Sequence, residues 1–228
     1  MKKALAYFSK VELLLWLSSI FLIIVSFLIF DRMNYLTLLA SIIGTTSLIF
    51  NAKGNPIGQG LMVIFSILYG IISYTFAYYG EMITYLGMTL PMAVFSLISW
   101  LKNPFRDNKM EVQVNTISKT EQLLMWIITF IITIIFYFVL DYFNTINIVP
   151  STISVTTSFL AVYLTFRRSP YFALSYAAND IVLVVLWFLA SVTNTSYISV
   201  LVCFIVFLFN DIYTFINWLK IKEKQEIK

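Results

Sequence analysis

Eight apolar stretches, at about 11–30, 34–51, 57–79, 82–101, 121–140, 148–166, 171–191 and 197–219, are each long enough to cross a lipid bilayer. This spacing leaves little choice of fold. Lipid offers no hydrogen bonds, so a backbone inside it must satisfy itself as helices or a closed barrel. Barrel strands would be about half this length and would alternate. The expectation is an all-α polytopic membrane bundle of about eight transmembrane helices. The second and sixth runs are the weakest, diluted by Ser and Thr. Only 11% of the 228 residues are charged and 60% are hydrophobic, so a soluble fold could not hide the apolar surface. Lys2 and Lys3 precede the first run much as in a signal peptide. The run ends at Phe30-Asp31-Arg32 with no small-residue cleavage pattern, and reads as a retained helix.

The basic residues test the count. With the N-terminus inside, fourteen of the fifteen Lys and Arg fall on cytoplasmic segments and only Arg32 falls outside. That is the asymmetry of the positive-inside rule. It predicts a multi-pass protein of the cell (plasma or inner) membrane with both termini cytoplasmic. It also accounts for the net charge of +4 without nucleic acid as a partner.

The chain carries an internal duplication. KVELLLW at 10–16 returns as KTEQLLMW at 119–126, and Asp31 with Asn34 as Asp141 with Asn144. Thr45-Thr46-Ser47 returns as Thr156-Thr157-Ser158, Pro56 as Pro170, and Ile98-Ser99-Trp100-Leu101-Lys102 as Ile216-Asn217-Trp218-Leu219-Lys220. Each half holds four spans, an even number, so both enter from the same side as parallel repeats. The reading is a first membrane repeat over 1–102, a cytoplasmic linker over 103–120, a second repeat over 121–220 and a cytoplasmic tail over 221–228.

The chain has no histidine, and its one cysteine, Cys203, lies in an apolar run. That removes the usual triads and any Cys-based metal site. No phosphate loop, dinucleotide fingerprint or metal motif is present, so neither a cofactor nor a metal is expected. An enzyme would have only carboxylates to work with, at no catalytic spacing. A scaffold would explain neither the duplication nor polar pairs at mid-membrane. Those pairs are Asn179-Asp180 in the seventh run and Asn210-Asp211 in the eighth. Polar groups at that depth face a bundle interior or a wet cavity. Phe172, Tyr176 and Asn179 share one helix face with Ser175 beside them, and Asn210, Thr214 and Asn217 form a stripe with Cys203. Amides suit base edges and ribose hydroxyls, and aromatic faces suit a flat heterocycle. Several residues have blander readings. Trp100, Trp187 and Trp218 read as interfacial anchors. Glu81 reads as part of a solvated turn, and Gly58, Gly60, Gly70 and Gly87 as sites of close helix packing.

Two stretches carry a family resemblance: Asn55-Pro56 to Trp100 with YGEMITYLGMTLPMAVFSLISWLKNP, and SPYFALSYAANDIVLVVLW with FLFNDIYTFINW. They resemble the PnuC vitamin and nucleoside transporters, over about residues 30–220. The resemblance implies a SWEET-like core of three helices, a linking helix and three more, with one additional N-terminal helix. It implies a facilitator for a nucleoside-like solute and frequent assembly as homotrimers. Members specific for nicotinamide riboside carry Trp, two residues, Trp, three residues, Asn. With Asn179 as the Asn, the two Trp positions hold Phe172 and Ser175 here. Asn210 matches the asparagine of the last helix, and Tyr85 falls near a frequent Gln. Nicotinamide riboside and a deoxyribonucleoside both stay open as the solute. Ion coupling through Asp180 or Asp211, with H⁺ or Na⁺, stands as the alternative mechanism.

Overall fold

The computed structural model describes residues 7–75, 78–106 and 108–227. Among them run eight membrane-length helices: α1 Lys10–Phe30, α2 Tyr35–Ala52, α3 Pro56–Thr75, α4 Tyr79–Lys102, α5 Lys119–Tyr142, α6 Ile148–Phe166, α7 Tyr171–Thr193 and α8 Ile198–Ile227. Between α4 and α5 the linker forms a small hairpin, with Pro104–Phe105 antiparallel to Asn108–Val112.

The repeated words act as helix starts. Ser9 and Glu12 close a capping box at α1, in which Ser9 Oγ accepts from the Glu12 amide and Glu12 accepts from the Ser9 amide at 2.6 Å. Ser118 accepts from the Glu121 amide in the same way at α5. Each glutamate then ties its helix to the turn after the next one. Lys53 pairs with Glu12 at 3.2 Å, and Arg167 pairs with Glu121. These turns bend through left-handed residues, Gly54 at φ 65° and Arg168 at φ 57°.

Six helices close into a ring in the order α2, α3, α4, α6, α7, α8 and back to α2. The last helix of each repeat therefore docks on the other repeat. Trp100 on α4 donates to the Thr165 carbonyl on α6 at 2.9 Å, and Trp218 on α8 donates to the Asn51 carbonyl on α2 at 2.8 Å. Outside the ring, α1 lies against α2 and α8, and α5 lies against α6. The ring explains the two weak runs. Of α2 and α6, 56% and 50% is buried, against 22% and 17% of α1 and α5. Ser and Thr sit where protein, not lipid, surrounds them, and the all-apolar helices take the lipid side.

Two expectations need correcting. The three tryptophans are fully buried rather than interfacial. The linker is the reason for two of them: Val112 packs with Trp100, Trp218 and Phe172 and covers the ring at that end. Glu81 is 3% exposed and belongs to the first turn of α4, because that helix begins at Tyr79 and not after a loop. The residues past 220 continue α8 to Ile227, and Gln225 donates to the Val112 carbonyl and accepts from the Val114 amide. The linker also joins the two equivalent turns, with Val112 N bonded to the Gly54 carbonyl and Asn115 N to the Arg168 carbonyl.

Of the glycines, Gly58 and Gly70 lie against Asn51 and Leu86 respectively, whereas Gly60 meets nothing within 4 Å and Gly87 only its own helix. A methyl on Gly58 would overlap the Asn51 side chain and lie 2.7 Å from its backbone nitrogen. Gly58→Ala is expected to cost about 1–3 kcal/mol by overpacking. The check is the thermal midpoint in detergent, and an unchanged midpoint contradicts the close α2–α3 contact.

Candidate functional site

All six ring helices meet at one small internal cavity of about 20 Å³. Its wall takes Leu48 from α2, Met62 and Phe65 from α3, Tyr85 and Thr89 from α4, and Ser158 from α6. It takes Tyr176, Asn179 and Asp180 from α7, and Phe204, Phe207 and Asp211 from α8. The space holds about one water. The ring is therefore closed around the site in this conformation.

The polar side of the wall is built by α6 and α7. Ser154, Thr157 and Ser158, one turn of α6, all donate to Asn179 Oδ1 at 3.3, 2.9 and 3.0 Å. Three donors on one oxygen fix the amide's orientation and leave its nitrogen as the group turned to the cavity. Beside it Asp180 and Asp211, both buried, line the same cavity. Among the described residues Asp180 Oδ2 and Asp211 Oδ1 are buried with no hydrogen-bond partner. Among the described residues no Lys or Arg lines the cavity.

The opposite side is aromatic. Tyr85 lies 4.3 Å from Tyr69 and 6.0 Å from Phe65 between ring centres, and Phe207 lies 5.5 Å from Phe65. Tyr85 and Thr89 bound a π-helical turn of α4, in which the Leu90 amide reaches back to the Tyr85 carbonyl. Pro91 follows directly. It has no N–H to give and its ring crowds the carbonyl four residues before, so the wider turn absorbs the mismatch.

Of the residues singled out from sequence, Asn179, Asp180, Asp211, Tyr176 and Tyr85 line the cavity and five do not. Phe172 is packed against Trp218 at 4.8 Å and Trp100 at 6.2 Å, one end of the ring away. Ser175 bonds the Tyr171 carbonyl and faces a separate cavity of about 400 Å³ with Gln122 and Trp126. Asn210 donates to Ser19 Oγ of α1 at 3.0 Å, so its amide points outward. Thr214 bonds the Asn210 carbonyl in its own helix, and Asn217 bonds the Ala52 carbonyl. Sequence reasoning passed over Thr89, Ser158 and the aromatic set Phe65, Phe204 and Phe207. Ser158 was visible only as a repeat word, and one phenylalanine among 21 carries no signal of its own.

The sequence model for the nicotinamide mononucleotide transporters matches residues 34–220. The chain belongs to the nicotinamide mononucleotide transporter family. As a member, it is a multi-pass membrane transporter and not an enzyme. It is similar to the nicotinamide riboside transporter PnuC of Neisseria mucosa, at 25% identity over 202 residues, covering 86% of this chain and 76% of that protein. The fold is that of the vitamin B3 transporter PnuC crystal structure. The TM-score is 0.84 at 22% identity, over 96% of this chain and 94% of the other.

Proposed function

We propose that this transporter carries a nicotinamide-riboside-like solute, a flat cationic heterocycle on a sugar, across the cell membrane. The observation that carries the reading is the cavity shared by all six ring helices, with acidic groups on one side and aromatic rings on the other. A pyridinium ring is flat and positive. It suits aromatic faces and a carboxylate, and its carboxamide oxygen suits the Asn179 amide nitrogen. The relative's name supports the same solute. The missing Trp pair does not weigh against it, since Phe172 and Ser175 lie off the cavity and Phe65, Tyr85, Phe204 and Phe207 supply the rings.

Ligand sites of this kind enclose about 300–1,000 Å³. A cavity of about 20 Å³ is a closed state, so solute entry needs the ring to part on one side at a time. Alternating access by rocking of two bundles meets that need. The π-turn before Pro91 places a weakened stretch of α4 at the cavity wall. The basic linker end is the cytoplasmic one by the distribution of Lys and Arg.

The test is initial uptake into proteoliposomes of labelled nicotinamide riboside, thymidine, deoxyadenosine and thiamine. Saturable uptake of nicotinamide riboside ahead of the deoxynucleosides is expected. Uptake of a deoxynucleoside alone overturns the solute assignment. A second reading, coupling to an ion, is favoured by the placement of Asp180 and Asp211 on the wall of one cavity.

A further inference from the structure

The outer half of the ring, away from the basic linker, holds an acid that the cavity does not use. Glu81 stands in the first turn of α4 and is only 3% exposed. That turn packs against α3 and α6. The Tyr85 amide bonds the Glu81 carbonyl, so the two residues lie one turn apart on one helix face. Tyr85 lines the cavity. Glu81 therefore lies one turn outward of it, on the interior side of α4. Among the described residues its Oε2 is buried with no hydrogen-bond partner, and no ion pair includes it. A place in a first turn does not explain this. An acid there gains from the helix dipole while exposed, and gains nothing by burying an oxygen that no donor meets.

Two more buried hydroxyls at the same end lack partners among the described residues, Thr37 Oγ1 on α2 and Ser73 Oγ on α3. Buried polar atoms in folded proteins normally find partners. At the inner end Trp100, Trp218 and Asn217 all donate to carbonyls. Aromatic rings complete the outer end. Tyr69 lies 4.3 Å from Tyr85 and 6.3 Å from Trp187, and Trp187 lies 4.9 Å from Tyr78. Tyr69 and Trp187 are buried and Tyr78 is half-buried, so the rings run from the outer surface to the cavity wall.

We propose that Glu81, with the rings of Tyr69, Tyr78 and Trp187, forms an outer subsite that receives the cationic heterocycle of the solute on its way to the cavity. This inference rests on the solute class proposed above. A cation leaving water for a dry bundle needs a counter-charge at each stage. Glu81 supplies it at the outer end while the rings take the flat face of the heterocycle. Tyr85, Asp180 and Asp211 take over about one helical turn, about 5.4 Å, further in. A neutral nucleoside meets the same rings and gains nothing from the carboxylate, so Glu81 sets a preference for charge.

The experiment is initial uptake into proteoliposomes of two probes, nicotinamide riboside, a cation, and its reduced dihydro form, which has nearly the same shape and no charge. For Glu81→Gln the KM of the cation is expected to rise about tenfold with little change in maximal rate, while uptake of the neutral form changes less than about twofold. Glu81→Asp, which keeps the charge one methylene further back, is expected to keep most of the preference for the cation. It carries the test alone if the glutamine variant does not fold, and a cation preference as low as that for deoxynucleosides then overturns the subsite. A merely structural role lowers uptake of both probes alike. An unchanged cation-to-neutral ratio in Glu81→Gln overturns the subsite and leaves the solute assignment standing. Absence of nicotinamide riboside uptake by the wild type overturns the solute assignment, and the subsite with it.

Discussion

Asn179→Leu lowers the catalytic efficiency of uptake about 100-fold while the protein still inserts and purifies as a folded species. Leucine keeps the volume and removes the amide. With Ser154, Thr157 and Ser158 all on Oδ1, the amide nitrogen is the donor left for the solute. A buried polar group left without its partner costs about 1–3 kcal/mol, or roughly five- to over a hundredfold. Thr157 can turn its one hydroxyl proton to the Ile153 carbonyl, so only Ser154 and Ser158 lose their acceptor, which limits the loss of stability. The readout is initial uptake rate in proteoliposomes per amount of folded protein, with circular dichroism as the control. A rate within a few-fold of wild type contradicts the placement of the amide. Asn210→Leu acts differently, since its amide holds Ser19 of α1, and its effect appears in stability first.

Trp100→Ala and Trp218→Ala each destabilise the protein by about 3–5 kcal/mol. Both side chains are fully buried, and their rings lie 5.3 Å apart. Each truncation opens a cavity at the point where one repeat docks on the other. Each also strips a buried carbonyl, of Thr165 or of Asn51, of its donor. The thermal midpoint in detergent is the measurement, with Trp→Phe at each position as the comparison. The phenylalanine variants keep most of the volume and lose only the N–H, so they fall between wild type and alanine. Alanine variants as stable as wild type would return both residues to the membrane surface as simple anchors.

The architecture was legible where a single physical constraint decided it. Bilayer thickness fixes the span lengths, and the side on which Lys and Arg collect fixes the parity of the count. The repeat words KVE and KTE turned out to be matched helix caps, each with its glutamate on a basic residue one hairpin away. Serine and threonine in α2 and α6, read as weakness of a span, mark the ring interior instead. What could not be read was the direction a side chain faces. Asn210 and Asp211 are neighbours about 100° apart on a helix, so one turns to the cavity and the other to α1. Composition cannot say which. On α7 both Asn179 and Asp180 reach the cavity, because α7 stands between α6 and α8 and shows both faces to the interior. Phe172 and Ser175 entered through a motif, but Phe172 lies two turns before Asn179 against Trp218, and Ser175 faces another side of α7 although its neighbour Tyr176 reaches the cavity. Glu81 lies just after Tyr78-Tyr79-Gly80, a combination that resembles a loop until a helix start at Tyr79 buries it.

The account stands on the claim that solute binds where the six helices converge. The most direct measurement is an experimental structure of the protein with nicotinamide riboside bound. The account predicts solute density enclosed by the ring, with the carboxamide at Asn179 and the charged ring beside Asp180 and Asp211. Density in the cavity lined by Gln122, Trp126 and Ser175, with the ring interior still closed, would contradict it.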